Sequence, residues 1–456
     1  MNGLGTWNYR EALRAIWERS AYDRGFVSNP FWGDAAAALG LRRTEAVLAR
    51  LGRPHDRLGI IHVAGSKGKG STCAFAAAIL RSAGYRVGLY TSPHLHSFRE
   101  RIAVDGEAIA EETFADLTRV ALLEAIALEQ DEPELGEVTA FELATAMALR
   151  HFATEGCDLA VVEVGMGGTL DSTNVVIPLV SAITTLDYEH TRVLGARIEE
   201  IAANKAGIIK PSRPVVVAAQ SPAALTVIEG AAAEAGSDLL LSGRNWQTAG
   251  AWTDFAAEGP WGRYDGLRSG LAGSHQVENA GVAIAATWLL NGHGFSVPEA
   301  SARGGIATVR WPGRYEVVDL PDRPRIILDG AHTPASAVAL ASAVQENEPD
   351  RVAVVLLAAM ADKEPSAMAQ ALAPIAASFV ATSTNNPRAM GTELLAEGLR
   401  SVGKPVTTAT DVLTALAASE RLAGPDGLVL VTGSLATVAE AREALGLGVP
   451  DPDVAD

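Results

Sequence analysis

Residues 60–80 read IIHVAGSKGKGSTCAFAAAIL, and the reading of the chain turns on them. A β-branched run from Ile60 leads into Gly65-Ser66-Lys67-Gly68-Lys69-Gly70-Ser71-Thr72, and a helical pattern follows at once. Glycines in such a turn let backbone N–H groups close around phosphate oxygens, and the helix N-terminus adds favourable partial charge. In this arrangement Lys69 reaches β- and γ-phosphates, and the hydroxyl of Ser71 or Thr72 faces Mg²⁺. The strict pattern G-x-x-x-x-G-K-[ST] is not met. Gly70 separates Lys69 from its hydroxyl partner, and Val63 stands where the first glycine belongs.

The same rhythm continues outward from this stretch. GIIHVAG, RVGLYTS, LAVVEVG, VSAITTL and PVVVAA read as strands, with helical segments at 71–84, 140–155 and 196–207 between them. Such alternation predicts βαβ units in an α/β domain with a P-loop-type, largely parallel sheet, covered by helices on both faces. Residues 245–270, rich in Trp and Gly, read as a small antiparallel excursion or long loop, and a helix is expected from about His275 to Leu290. NGHGFSVPEA (291–300) is the expected linker. A second series follows: RYEVVDL, RIILDGAH, RVAVVLLAAM, SFVATST, PVTTAT and LVLVTGS. The expected organisation is an ATP-binding domain over 1–297 and a smaller Rossmann-like α/β domain over 298–456.

Composition narrows the function. The 456 residues are 48% apolar and 20% charged, as in globular proteins. With 54 acidic against 37 basic side chains, the net charge of −17 argues against nucleic-acid binding, which draws on clustered Lys and Arg. Two cysteines, Cys73 and Cys157, make no disulfide framework. The N-terminus has no apolar signal core, and no apolar stretch reaches the ~18 residues of a membrane span. A cytoplasmic protein acting on small molecules, with no membrane, is the expectation.

Further candidates sit at the ends of strands, where open α/β sheets bind ligands. Glu163 ends the run LAVVEV ahead of a GMGG turn, and a carboxylate there suits Mg²⁺. Asp187, Glu189 and His190 follow the next strand and are candidate metal or phosphate groups. Lys205 lies in a helix, and Asp329-Gly330-Ala331-His332 ends a strand of the second series. His94 and His96 make an H-x-H pair with no third ligand at diagnostic spacing, so no zinc site is read.

Taken in order, HVAGSKGKGST, TSPHLHSFRERIAVDGEAI, VEVGMGGTLDSTNV, YEHTRVLG with IEEIAANKAGIIKP, GSHQVENA, WPGRYEVV, ILDGAHTP and LVTGSL resemble the folylpolyglutamate synthase/dihydrofolate synthase family, within the Mur-type ATP-dependent amide ligases. In that family's phosphate loop the lysine is followed by a small residue and then a hydroxyl, as here. The resemblance implies a ligase joining L-glutamate to the carboxylate of dihydropteroate or a reduced folate through an acyl phosphate. It implies that Gly65, Ser66, Lys67, Gly68, Lys69, Gly70, Ser71 and Thr72, with Asn279, Arg314 and Asp329, bind ATP. Ser71 and Glu163 resemble ligands of one Mg²⁺, and His190 and Lys205 a second metal site, Lys205 being carried as a carbamate. Lys69, His190, Lys205 and His332 resemble the catalytic set, His332 standing near the incoming amino acid. Ser92, Pro93, His94, Arg99 and Arg101 fall where the family shapes its pterin-side cleft. A monomer is implied.

The chain departs from the family's pattern in four places. Glu189 stands for a usual Asp, Thr169 for Arg, Thr333 for Asn, and Asn204 for an acidic residue before the lysine. The Thr169 and Thr333 changes bear on substrate preference. A UDP-muramyl peptide ligase is the competing expectation. It calls for a further domain ahead of the phosphate loop, and the residues before Gly65 are too few to supply one.

Overall fold

A computed structural model describes residues 6–19 and 34–454. The first sheet has eight strands: β1 (Gly59–Ala64), β2 (Val87–Tyr90), β3 (Ile102–Val104), β4 (Glu107–Ala108), β5 (Leu159–Glu163), β6 (Val180–Ile183), β7 (Val215–Val217) and β8 (Leu239–Leu241). Their order is β4-β3-β2-β5-β1-β6-β7-β8. The expected strands form its centre and pair in parallel, as their all-buried side chains demand. The short β3 and β4 turn antiparallel at one edge and β8 closes the other. β3 and β4 are too short for a strand period to show, and β8 is Leu239-Leu240-Leu241 with no β-branched residue.

β1 runs between β5 and β6, with Ile61 level with Val161 on one side and Val180 on the other. The turn after β1 therefore opens between Glu163 and Thr184-Thr185. The helix Lys69–Ser82 that follows is buried between the sheet and the helices Ser274–Leu289 and Glu299–Thr308. The opposite face is covered by helices Tyr9–Glu18, Glu111–Asp131 and Ala140–Thr154. The last of these starts at a capping box, Thr139 with Glu142, a device worth about 1 kcal/mol.

Glu299–Thr308 bears on the expected boundary at 297/298. Ala302 and Ile306 pack with Ile79 and Leu80 in the first core, and Gly305 brings the two helix backbones together. This helix sits with the first domain although it follows the polar, glycine-rich segment that reads as a linker.

Residues 247–267 form the antiparallel sheet β9 (Gln247–Ala251), β10 (Asp254–Gly259) and β11 (Gly262–Leu267). The second domain holds β12 (Glu316–Val318), β13 (Arg325–Leu328), β14 (Ala353–Leu357), β15 (Ala376–Ala381), β16 (Val406–Thr408) and β17 (Leu428–Thr432). These are ordered β12-β13-β17-β14-β15-β16 and are parallel except for β12. The Trp252 indole N–H donates to Asn347 Oδ1 across the domains at 3.0 Å. Among the described residues no helix is long and apolar enough to cross a membrane.

Candidate active site

The phosphate loop is held open by its glycines. Gly65 and Gly68 have φ of +150° and +87°, a region side chains rarely adopt. A Cβ on Gly65 would lie 1.8 Å from Thr184 Oγ1, and one on Gly68 2.2 Å from Asn279 Oδ1. The Ser66 and Lys67 amides both donate to Thr185 O at 3.1 Å, and Ser66 Oγ donates to Asp187 O at 2.9 Å. The loop is thereby fastened to the strand end beyond β6. Thr72 Oγ1, buried at the start of the helix, has no hydrogen-bond partner. An orphaned hydroxyl inside a glycine cradle fits a ligand carrying oxygens there.

Two groups of side chains meet around Lys69, whose charge acts on both. The first is Glu163 with the helix start at Gly70 and Ser71. The Glu163 carboxyl is 4% exposed, and Oε2 accepts the Ser92 amide at 3.0 Å. Burial pushes it above the usual carboxylate range, against Lys69, the Ser92 amide and Arg314. A Cβ on Gly70 would lie 3.7 Å from Glu163 Oε2 and 3.6 Å from Trp311 Nε1, so carboxylate and indole flank the loop. A buried carboxylate with one hydrogen bond, beside the helix start at Gly70, suits a hard cation.

The second group is Lys67, Glu189, His190 and Lys205. Lys205 is 3% exposed and its Nζ donates to Gly65 O at 2.8 Å. Burial, then the Lys69 charge, push its ammonium down to about 7. Glu189 Oε1 lies 3.3 Å from Lys67 Nζ and 3.5 Å from His332 Nε2. Burial alone would raise the Glu189 carboxyl. The His332 contact and the charges of Lys67, Lys69 and His190 outweigh that and hold it well below its usual range. His190 takes a left-handed conformation, φ +53°, that turns the chain out of the sheet. The surrounding protein lowers its pKa, opposed by Glu189 and reinforced by Lys69, Lys205 and Lys363. Among the described residues no three His, Cys, Asp or Glu side chains form a metal-binding set by themselves. Any cation here would rely on hydroxyl, phosphate or water oxygens as well.

The second domain supplies the facing edge. Asp329 accepts the Tyr315 and Ala331 amides at 2.8 and 2.9 Å, locking the turn that carries Arg314 to the end of β13. His332 is oriented by Gly330 O at 2.9 Å. Asn279 Nδ2 donates to Gln276 Oε1, which sets its Oδ1 against Gly68. Trp252, Leu271, Trp311, Pro312, Arg314 and Tyr315 line a cleft between the domains. The departures from the family pattern are absorbed locally. Thr333 caps the helix Pro334–Asn347, and Thr169 bonds the Asn204 carbonyl through both its amide and its hydroxyl.

The substrate-side candidates divide. Arg101 Nε donates to His94 Nδ1 at 2.9 Å, and both lie beside the Phe98 ring. Burial, then Arg101, hold His94 well below its usual pKa, so the imidazole is neutral. Arg99 instead bonds Ile109 O and reaches Glu111 away from His94. Trp311 and Lys363 were not singled out from sequence. Trp311 stands in the quoted WPGR motif, but only the three-dimensional approach of the domains gives either a role.

A glycine-cradled phosphate loop facing a second α/β domain defines an ATP-dependent Mur-type amide ligase. Residues 63–287 match the Mur ligase middle domain and 313–435 the Mur ligase glutamate ligase domain. A Bacillus subtilis dihydrofolate synthase/folylpolyglutamate synthase is 35% identical over 415 residues, covering 89% of this chain and 95% of the relative. A Mycobacterium tuberculosis folylpolyglutamate synthase complexed with ADP superposes with TM-score 0.83 at 31% identity, over 91% of this chain and 96% of that one. An Escherichia coli FolC structure in complex with DHPP and ADP gives TM-score 0.80 at 31% identity, over 95% and 97%. The chain belongs to the folylpolyglutamate synthase/dihydrofolate synthase family.

Proposed function

We propose that this enzyme joins L-glutamate to the carboxylate of dihydropteroate or a reduced folate, with ATP converted to ADP and phosphate. The observation that carries the reading is the Glu189–His332 contact, which seats the second domain over the phosphate loop. The loop amides beyond Lys67, with Lys69, hold the ATP phosphates, and Asn279, Arg314 and Asp329 complete the nucleotide site. The cleft at Trp311 adjoins the loop at Gly70, which makes it the place for the base.

The acceptor carboxylate attacks the γ-phosphorus, ADP leaves, and an acyl phosphate forms. Lys69 and Arg314 meet the charge on the transferring group, where positioning and electrostatics dominate. Mg²⁺, held by Ser71 and Glu163 and by His190 and Lys205, would neutralise further charge on the phosphoryl oxygens. Lys205 is proposed to carry a carbamate, formed by attack of its neutral amine on CO₂ with release of a proton. That change replaces a cation beside Lys67 and Lys69 with an anion. The glutamate amine then attacks the acyl carbon near His332, and phosphate departs. The second domain keeps water from the acyl phosphate. His94 and Arg101 shape the acceptor side. The protein is proposed to work as a cytoplasmic monomer on small molecules, without nucleic acid.

The test is ATP-dependent phosphate release with L-glutamate plus dihydropteroate, tetrahydrofolate or a UDP-muramyl acceptor. Stimulation by either pterin is expected. Stimulation by the UDP-muramyl acceptor alone overturns the reading.

A further inference from the structure

The segment after the helix Leu435–Ala444 leaves the second domain and returns to the first. Asp451 makes three contacts there. Its amide donates to His96 O at 3.1 Å, Oδ2 accepts the Phe98 amide at 2.8 Å, and Oδ1 accepts the Tyr9 hydroxyl at 2.7 Å. Tyr9 OH also lies 3.1 Å from Ser97 Oγ. Val454 then packs against the core that contains Tyr9 and Leu13.

The second domain holds the same loop from its other side. Arg442 Nε donates to His96 Nε2 at 3.0 Å, which leaves Nδ1–H to donate to Glu443 Oε1 at 3.2 Å. Gly448 lies so close to the His96 ring that a Cβ would meet Nε2 at 2.3 Å. Leu95 packs into the second domain's core beside Val438. Leu95 to Phe98 are thus gripped by elements that follow the last strand of the second domain. The turn Phe98–Arg101 continues from them, and Arg101 fixes His94.

We propose that Asp451, with His96 beside it, is a positioning residue for the acceptor. The segment 446–454 is a strap that ties the acceptor loop to the second domain, so that the acceptor site is complete only when that domain is docked. The partners of Asp451 itself, Tyr9, His96 and Phe98, include no residue assigned to ATP. The inference rests on the reading of residues 92–101 as the acceptor side.

The test uses the full chain with Asp451→Ala and Asp451→Asn, the second retaining one acceptor oxygen. Loss of charge-assisted hydrogen bonds is expected to raise the acceptor KM about tenfold in Asp451→Ala. Asp451→Asn falls between it and the wild type, and kcat and the ATP KM stay within about twofold because the ATP site is untouched. Hydrogen exchange should quicken at the amides of residues 95–101 and stay unchanged in the helix Lys69–Ser82. Unchanged exchange in the loop overturns the strap. Faster exchange with an unchanged acceptor KM, or an equal rise in both KM values, overturns the positioning role. If no pterin supports turnover of the wild type, the proposed reaction fails, and the exchange measurement still decides the strap.

Discussion

The Glu189 carboxylate stands 3.5 Å from the His332 imidazole and 3.3 Å from the Lys67 ammonium. One side chain of the first domain thus touches both its own phosphate loop and the facing edge of the second. Groups in direct contact do not act independently. Glu189→Gln and His332→Ala should each lower kcat/KM for glutamate by roughly tenfold, and the double variant should lose clearly less than the product of the two. Steady-state rates at saturating ATP measure this cycle. Strict multiplication of the two losses would show that the contact carries no coupling.

The Lys69 ammonium makes no hydrogen bond or ion pair among the described residues, yet its charge acts on Glu163, Glu189, His190 and Lys205. A cation that central and that uncommitted is suited to an anion brought in by substrate. Lys69→Ala should lower kcat by a factor on the order of 10³, as loss of a group stabilising transferring phosphoryl does. The thermal midpoint should stay close to the wild-type value. Near-normal turnover would remove Lys69 from phosphoryl transfer.

The loop glycines give a sharper test of the cradle. Gly68→Ala must strain a backbone at φ +87° and place a methyl 2.2 Å from Asn279 Oδ1. The affinity for ATP, measured by calorimetry, should fall at least about tenfold, since strain at such a position costs on the order of 1–3 kcal/mol. Gly52→Ala is the control. Its φ is +84° and no atom lies within 4 Å of the new Cβ, so the strain lowers stability while ATP affinity should hold.

The glycine turn, the alternating strands and the place of Glu163 at a strand end were legible because each leaves a local mark. Glycine at a tight turn, apolar runs of strand length, and a carboxylate at a strand end are all short-range patterns. What escaped depends on distance in the chain. The helix Glu299–Thr308 follows a linker-like segment, and only packing of Gly305 on Ile79 shows which domain it joins. Arg99 and Arg101 look alike in FRERI, but one bonds Ile109 O and the other His94. Asp451 lies in a polar stretch with no motif, and its partners are Tyr9 and Phe98, more than 350 residues away.

Lys205 offers a chemical rescue. Its Nζ donates to Gly65 O, and burial with Lys69 beside it brings the ammonium down to about 7. Lys205→Ala should be nearly inactive. Short-chain carboxylates added to the assay should restore part of the rate if the native group is a carbamate, because they return an anionic oxygen to the cavity. Absence of rescue across a formate-to-propionate series would count against the carbamate.

His62 tests the sheet that carries the site. It lies fully buried in β1, with Nε2 2.8 Å from Thr173 Oγ1 and Nδ1 without a partner. Thr173 Oγ1 donates onward to Asp171, so His62 is the donor to it, in the neutral tautomer. Burial, and then the Lys210 charge, push its pKa down to about 3. The unfolded chain protonates near pH ~6.5, so between that value and the folded pKa it takes up a proton that the native state refuses. Stability therefore falls as pH drops through this window, by roughly 2 kcal/mol at pH 5 for this group. His62→Gln keeps an N–H donor and removes the titration. Urea unfolding at pH 7 and pH 5 should show the variant losing less stability between the two than the wild type, by about that amount. An equal loss in both proteins would place the acid sensitivity elsewhere.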